Sequence, residues 1–87
     1  MERMICYVYV LATRSKGGRL VTYVGWTLDL ERRLAEHNGH GKRGAKSTRG
    51  RVWALLYAER HKSKRKAMAR EYSLKKDKVF RARLRSP

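Results

Sequence analysis

Five side chains in this sequence have the chemical types that phosphodiester hydrolysis needs. They are spread over most of the chain: Tyr9, Tyr23, Arg33, His37 and Glu71. The reaction requires a cation for the phosphoryl oxygens, an acceptor for the proton of the attacking water, and protonation of the leaving group. Arg33 can supply the cation, a tyrosine or His37 can accept the proton, and Glu71 can hold a divalent metal. The set is complete only if the fold brings these groups together.

Each of these residues also has an ordinary explanation. Tyrosines in strands usually pack in a core, a lone arginine is usually a surface cation, and Glu71 can pair with Arg33 or with a lysine. A tyrosine with its usual pKa of ~10 is a poor base at neutral pH. We expect a nearby Arg33 and a metal ion to lower that pKa, which would make a tyrosine base physically reasonable.

The composition points to an anionic partner. The 87 residues include 23 Lys and Arg against 7 Asp and Glu, a formal net charge of +16. Such an excess is costly by self-repulsion unless negative charge is near, so nucleic acid is the expected partner and a membrane surface a weaker alternative. A single cysteine, Cys6, excludes an intramolecular disulfide and a cysteine zinc site. No signal peptide or spanning segment is visible, so we expect a cytoplasmic protein, with association with the nucleoid left open.

Three stretches rich in β-branched and aromatic residues predict strands. They cover residues 4–11, 20–26 and 52–59. The first is apolar on both faces, which predicts a central strand. The pair Gly17-Gly18 is a turn signal between the first two stretches. If these form a hairpin, Tyr9 and Tyr23 lie on the same face of the sheet.

Helical patterns fill much of the remaining sequence, over residues 28–38, 63–76 and a short basic tail within 75–85. Thr27 or Asp29 can cap the first helix and Ser63 the second. In the first, Leu30, Arg33, Leu34 and His37 share one face. In the second, we expect Ala67, Met68, Glu71, Tyr72 and Leu74 on the buried side, and in the tail Val79, Phe80 and Leu84 as apolar contacts. Exposed aromatic rings would favour stacking on single strands, but we expect Trp26, Trp53 and Tyr72 to be buried.

The segment 39–50 holds four of the seven glycines and four basic residues, with no acid. Glycine lets backbone N–H groups approach a phosphate, and the cations neutralise it. A flexible solvated loop is the alternative. His37 and His40 make a weak metal signal, and His61, within a basic run, is expected to be solvated.

The motifs taken in order resemble the GIY-YIG nuclease superfamily, and its small stand-alone members in particular. The resemblance spans about residues 7–76. Its motifs are Tyr7-Val8-Tyr9, Tyr23-Val24-Gly25, Leu30-x-x-Arg33-Leu34-x-x-His37-Asn38, Gly44-Ala45-Lys46-x-Thr48-Arg49 and Ala67-x-x-x-Glu71-x-x-x-Lys75. Two positions depart from the family pattern: Tyr7 stands for the first glycine, and Ser47 stands where the subfamily commonly has a tyrosine.

The resemblance implies one α/β domain over residues 1–87, a three-stranded antiparallel sheet flanked by helices with a basic helical C-terminal region. It implies that Tyr9 and Tyr23 position and deprotonate a water, that Arg33 holds the scissile phosphate, and that His37 assists. Glu71 would hold a single Mg²⁺ or Mn²⁺. The basic loop would bind nucleic acid through Lys42, Arg43, Lys46, Thr48 and Arg49.

The predicted function is a metal-dependent DNA endonuclease that selects strand type or structure rather than sequence. DNA repair is one of several pathways left open, and a partner protein could direct targeting. A non-catalytic nucleic-acid-binding module on the same fold is the alternative, which composition supports equally well.

Overall fold

A computed structural model describes residues 5–15, 17–39 and 52–85. Three strands and three helices follow one another in these ranges. They are β1 (Cys6–Arg14), β2 (Leu20–Thr27), α1 (Leu30–His37), β3 (Ala54–His61), α2 (Lys64–Lys76) and α3 (Lys78–Arg85). The predicted fold class, a three-stranded antiparallel sheet flanked by helices, is confirmed. No helix in the described part of the chain is long and apolar enough to cross a membrane.

The sheet has β1 at its centre, in the order β2-β1-β3, as its apolar faces predict. Both neighbours run antiparallel to it. β1 extends beyond its predicted end at residue 11, because its pairing with β2 continues to Arg14 opposite Leu20. β3 begins two residues later than predicted. Just before it, the Val52 carbonyl accepts a hydrogen bond from the Thr13 hydroxyl (2.6 Å), outside the regular ladder.

The alternation of side chains along β1 divides the core into two clusters on opposite faces of the sheet. Cys6, Val8 and Val10 pack with Ala67 and Leu74 of α2. Phe80 and Leu84 of α3 join the same cluster, so we call this side the α2/α3 face. The other cluster contains Tyr9, Leu11 and Trp53 with Leu30 and Leu34 of α1, and we call this side the α1 face.

Helices α1 and α2 begin at side-chain caps. Asp29 caps α1, and its carboxylate accepts a hydrogen bond from the Arg32 amide at 3.1 Å. Thr27, the other predicted cap, accepts instead from the Asp29 amide and so shapes the turn before the helix. Ser63 caps α2 as predicted, accepting from the Lys66 amide at 3.1 Å. These caps satisfy amides that have no partner within the helix.

The predicted buried side of α2 is wrong in part. Ala67 and Leu74 are fully buried, but Met68 is 47% exposed and Tyr72 is 61% exposed. Residues 67, 71 and 74 follow the line facing the sheet, and each next residue is turned by ~100° about the helix axis. The sequence contains too few large apolar residues in α2 to mark that line. Val79 of α3, also predicted as a contact, is 64% exposed.

A charged cluster joins β3 to α2 on the α2/α3 face. Glu59 accepts hydrogen bonds from the Tyr57 hydroxyl and from Arg70 Nε (2.7 Å), and His61 Nε2 lies 2.8 Å from the same carboxylate. The prediction of a solvated His61 is therefore wrong, because Glu59 binds it. Burial alone would raise the pKa of Glu59, but these three hydrogen bonds hold it below its usual 4.5. The hydrogen bond to Glu59, with some burial, raises the pKa of Tyr57.

Candidate active site

Tyr9 and Tyr23 lie on the α1 face, as the hairpin predicts. Their ring centroids are 6.4 Å apart. Tyr9 is paired with Gly25 across the β1–β2 ladder. A Cβ atom added at Gly25 would lie 2.5 Å from the Tyr9 hydroxyl oxygen and 3.1 Å from the Tyr23 ring. Gly25 is therefore required by space, because the Tyr9 ring crosses the strand where a side chain would stand.

Helix α1 brings His37 against both tyrosines. His37 Nε2 is 2.9 Å from the Tyr9 hydroxyl oxygen, and the imidazole centroid is 4.9 Å from the Tyr23 ring. His37 is 1% exposed and occupies the same face of α1 as Leu30 and Leu34. The helical spacing thus places the imidazole among the apolar side chains of this face, and the hydrogen bond to the Tyr9 hydroxyl satisfies its buried Nε2.

The pKa values of this pair move in opposite directions. Burial, opposed by Arg33, raises the pKa of Tyr9 to about 12. Burial and the positive charge of Arg33 lower the pKa of His37. Arg33 acts on the pKa of Tyr9 in the expected downward direction, but desolvation of the phenolate outweighs it and the net shift is upward. At neutral pH Tyr9 is protonated and His37 is neutral, so the Tyr9 hydroxyl can donate to Nε2.

Arg33 lies one turn before His37 on α1. Its guanidinium interacts with the Tyr9 phenol, and its Nη1 donates to Glu36 Oε1 at 3.0 Å. Burial alone would lower the pKa of Arg33, but Glu36 and Tyr9 together raise it. Glu36 also pairs with Arg32, at 3.6 Å. A fixed cation thus stands beside the Tyr9 hydroxyl, held by a carboxylate that the sequence analysis did not single out.

Glu71 lies on α2, whose buried residues pack on the α2/α3 face, and its charge acts electrostatically on Tyr9. Its side chain is 21% exposed and its Oε2 lies 3.7 Å from Lys75 Nζ, which makes a long i,i+4 ion pair. Its negative charge is the weakest of the five influences on the pKa of Tyr9. Within residues 5–15, 17–39 and 52–85, no group of three or more His, Cys, Asp or Glu could hold a metal ion. One carboxylate is still compatible with Mg²⁺, which commonly takes its other ligands from water and substrate phosphates.

Two further features support the site. Asn38, which caps the end of α1, donates through Nδ2 to the Trp53 carbonyl (3.0 Å) and accepts from the Trp53 amide (2.6 Å). This pair ties the end of α1 to the start of β3 beside His37. In the sequence, Asn38 is marked only as the residue that follows His37 in the helix motif, and this contact is not predicted. A groove of about 460 Å³ adjoins Arg33 and is lined by Trp26, Thr27, Leu28, Asp29, Arg32 and Glu36.

The predicted nucleic-acid-binding residues are outside the described part of the chain, as is His40. These residues are Lys42, Arg43, Lys46, Thr48 and Arg49. Of the three aromatic side chains predicted to be buried, Trp53 is 4% exposed and Trp26 is half-buried. Tyr72 contradicts the prediction with its 61% exposure.

Comparison with known proteins decides the family. The model of the GIY-YIG catalytic domain matches residues 5–83. The chain belongs to the GIY-YIG family. The matched range contains all the residues of the candidate site, and the resemblance in the sequence motifs is confirmed.

The relatives of this GIY-YIG protein include several small proteins named UPF0213. One from Clostridium perfringens is 44% identical over 71 residues, covering 80% of this chain and 70% of the relative. One from Natronomonas pharaonis is 44% identical over 70 residues, covering 79% and 75%. One from Streptococcus pneumoniae serotype 4 is 47% identical over 73 residues, covering 83% and 68%. No solved structure matches the chain.

Family membership gives the general activity. GIY-YIG proteins are nucleases, so this protein is a hydrolase of phosphodiester bonds with a nucleic-acid substrate. GIY-YIG nucleases generally use divalent metals.

Proposed function

We propose that this GIY-YIG protein is a DNA endonuclease that depends on a single Mg²⁺ or Mn²⁺ and selects its substrate by strand type or structure. The observation that carries the proposal is the contact of Tyr9, His37 and Arg33 on the α1 face. The Tyr9 hydroxyl stands 2.9 Å from a neutral imidazole and beside a guanidinium. A proton donor and acceptor joined by a hydrogen bond, next to a cation, fit attack of water on a phosphodiester.

The pKa values of the pair leave His37 as the unprotonated group that can accept a proton at neutral pH. With a pKa of about 12, Tyr9 keeps its proton at neutral pH and is no base by itself. A water bound at the Tyr9 oxygen can pass its proton to that oxygen as the phenolic proton moves to His37 Nε2. The phenol is restored and the imidazole becomes an imidazolium. The hydroxide attacks phosphorus as the bond from phosphorus to the leaving oxygen breaks; the leaving oxygen takes a proton from solvent, to which the imidazolium later releases its own. Tyr23, whose ring packs on His37, keeps the imidazole in place and lines the water position.

Arg33 binds the nonbridging oxygens of the scissile phosphate. Its charge is permanent, and Glu36 orients its guanidinium at 3.0 Å. Negative charge grows on those oxygens in the transition state, so a fixed cation stabilises it more than the ground state. The groove beside Arg33 leaves room for the nucleic-acid strand on one side of the scissile phosphate.

Glu71 is the residue that would hold the metal. The ion supplies Lewis-acid stabilisation of the phosphoryl and leaving oxygens. The long ion pair of Glu71 with Lys75, which is 53% exposed, costs little to break. Apart from any metal, the carboxylate adds negative charge near Tyr9, which opposes loss of the phenolic proton.

Family membership and net charge support a nucleic-acid substrate, and DNA is the nucleic acid that we propose. The net charge of +16 supports binding to phosphates along a strand, and we expect affinity to fall steeply with salt. A cytoplasmic location and targeting by a partner protein or by the basic loop remain part of the proposal. DNA repair is one pathway that a structure-selective nuclease of this kind would serve.

The test is a cleavage assay on labelled single-stranded, duplex and branched DNA with Mg²⁺, Mn²⁺ or EDTA. Wild type should cut only with metal, and Glu71→Gln should not cut. Glu31→Gln is the matched control, because Glu31 is an exposed glutamate on α1 away from the Tyr9–His37 contact. Salt-dependent binding without cutting on every substrate would contradict the proposal and favour the non-catalytic module.

A further inference from the structure

The outer side of α2 presents an aromatic ring on a strongly basic surface. Tyr72 is 61% exposed, and Met68, one turn earlier, is 47% exposed. The Lys76 ammonium lies 4.2 Å from the Tyr72 ring centroid, in a cation–π contact. Met68, Tyr72 and Lys76 follow one another at intervals of four residues, so they share one side of the helix. We call these three residues the Tyr72 surface.

The charge around this surface selects the kind of partner. Helix α2 contains six Lys and Arg and one acid over its 13 residues. A purely apolar partner would desolvate these cations without pairing them. An acidic protein surface would pair the cations but would offer no aromatic face to stack on the Tyr72 ring. A nucleic-acid strand supplies both complements, because each nucleotide offers an aromatic face and a phosphate.

The position of Tyr72 relates it to the chemistry. Tyr72 follows Glu71 directly in the chain, so their Cα atoms are about 3.8 Å apart. Glu71 turns towards the sheet and is 21% exposed, whereas Tyr72 turns outward. If Glu71 holds the metal at the scissile phosphate, as proposed above, the nucleotides next to that phosphate lie within reach of the Tyr72 ring.

We propose that the Tyr72 surface is a stacking site for an unpaired nucleobase next to the scissile phosphate, with Lys76 bound to a flanking phosphate. The part of the inference that concerns the scissile phosphate rests on the proposed function. Bases inside a duplex already stack on both sides, so the ring accepts only a base that is single-stranded, at an end or displaced. The site reads no sequence, because every base has a π face.

Binding in EDTA tests the stacking site without any cleavage. The probe is a single-stranded oligonucleotide carrying 2-aminopurine, whose fluorescence is quenched by stacking, with a duplex of the same sequence beside it. Tyr72→Ala should weaken single-strand binding by about 10-fold and relieve the quenching. Tyr72→Phe should retain both affinity and quenching, because the ring remains. Val79→Ala, on an equally exposed apolar residue of α3 (64%), is the matched control and should change neither.

Three results would overturn the inference. Tyr72→Ala could bind the single strand as wild type does, it could lose duplex affinity to the same degree, or Tyr72→Phe could lose as much as Tyr72→Ala. The first two would remove any role in selecting unpaired bases, and the third would assign the effect to the hydroxyl. Failure of the proposed function gives a different result. In EDTA, wild type would still quench the 2-aminopurine fluorescence and Tyr72→Ala would not, but wild type would cut no substrate with any metal.

Discussion

The two faces of the sheet bury polar groups in different ways, although they share the central strand. On the α2/α3 face, Glu59 is ionised and bound by Tyr57, His61 and Arg70. On the α1 face, Tyr9 and His37 are held in their neutral forms by burial. A carboxylate with three hydrogen-bond donors is stabilised in its ionised form, which is typical of a structural cluster. A hydrogen-bonded phenol and imidazole beside a cation, both with pKa values shifted by burial, are typical of a candidate functional site.

The largest expected effect comes from the cation of the α1 face. Arg33→Ala should lower the cleavage rate by about 10³-fold, because it removes the charge that faces the phosphoryl oxygens. Arg32→Ala is the control, since Arg32 is 71% exposed and also pairs with Glu36. Rates under single-turnover conditions and circular dichroism measure both variants. Equal losses in the two variants would mean that general positive charge, rather than Arg33, carries the effect.

A smaller loss is expected from filling the space at Gly25. In Gly25→Ala the new methyl group would meet the Tyr9 hydroxyl at 2.5 Å, and Tyr9 is 1% exposed and has little room to move. A displacement of about 1 Å at a reacting group can cost about 100-fold in rate. Gly17→Ala is the control, because nothing lies within 4 Å of its added Cβ. A Gly25→Ala enzyme with wild-type rate would remove Tyr9 from the mechanism.

The pH profile should report His37. Its pKa is lowered by burial and by Arg33, so activity should be full at pH 7 and should fall about tenfold per pH unit once the pH drops below that lowered value. The same shift favours folding above the usual pKa of 6.5. That stability declines as the pH falls below 6.5 and is gone below the folded-state pKa, because the unfolded chain takes the proton first. A cleavage rate that already falls above pH 6.5 would contradict a neutral, buried His37. In His37→Gln, the remaining cleavage rate should no longer fall at acid pH.

The mildest effect on activity is expected on the α2/α3 face. Glu59→Gln should lower the free energy of unfolding by about 2 kcal/mol, since it weakens hydrogen bonds to a charged, half-buried group. The lowered pKa of Glu59 stabilises the fold above its usual 4.5, and this contribution is lost as the pH falls through the folded-state pKa. Urea unfolding at pH 7 and pH 3 measures the free energies of unfolding of wild type and Glu59→Gln. The difference between the two proteins should be smaller at pH 3. An unchanged stability at pH 7 would mean that the cluster contributes nothing.

Sequence patterns predicted the elements well where their periodicity is strong. The central position of β1 follows from its two apolar faces, and the shared face of Tyr9 and Tyr23 follows from the alternation of side chains along paired strands. The buried side of α2 was mispredicted, because Met68 and Tyr72 are larger than Ala67 yet point outward. The raised pKa of Tyr9 was also missed, since the balance of burial against Arg33 depends on packing rather than spacing. The sequence does not single out Glu36, and it marks Asn38 only as a motif residue without a role, because the partners of both are fixed by three-dimensional packing at the end of α1.

The most direct test compares the two half-buried glutamates, Glu71 at 21% and Glu59 at 18% side-chain exposure. Each is changed to glutamine, and cleavage of single-stranded DNA in Mg²⁺ is measured together with the melting temperature. We predict that Glu71→Gln remains folded and does not cut, whereas Glu59→Gln melts at a lower temperature and cuts at the wild-type rate below that temperature. If Glu71→Gln cuts as wild type does, Glu71 is a structural acid and the assignment of the active site is contradicted.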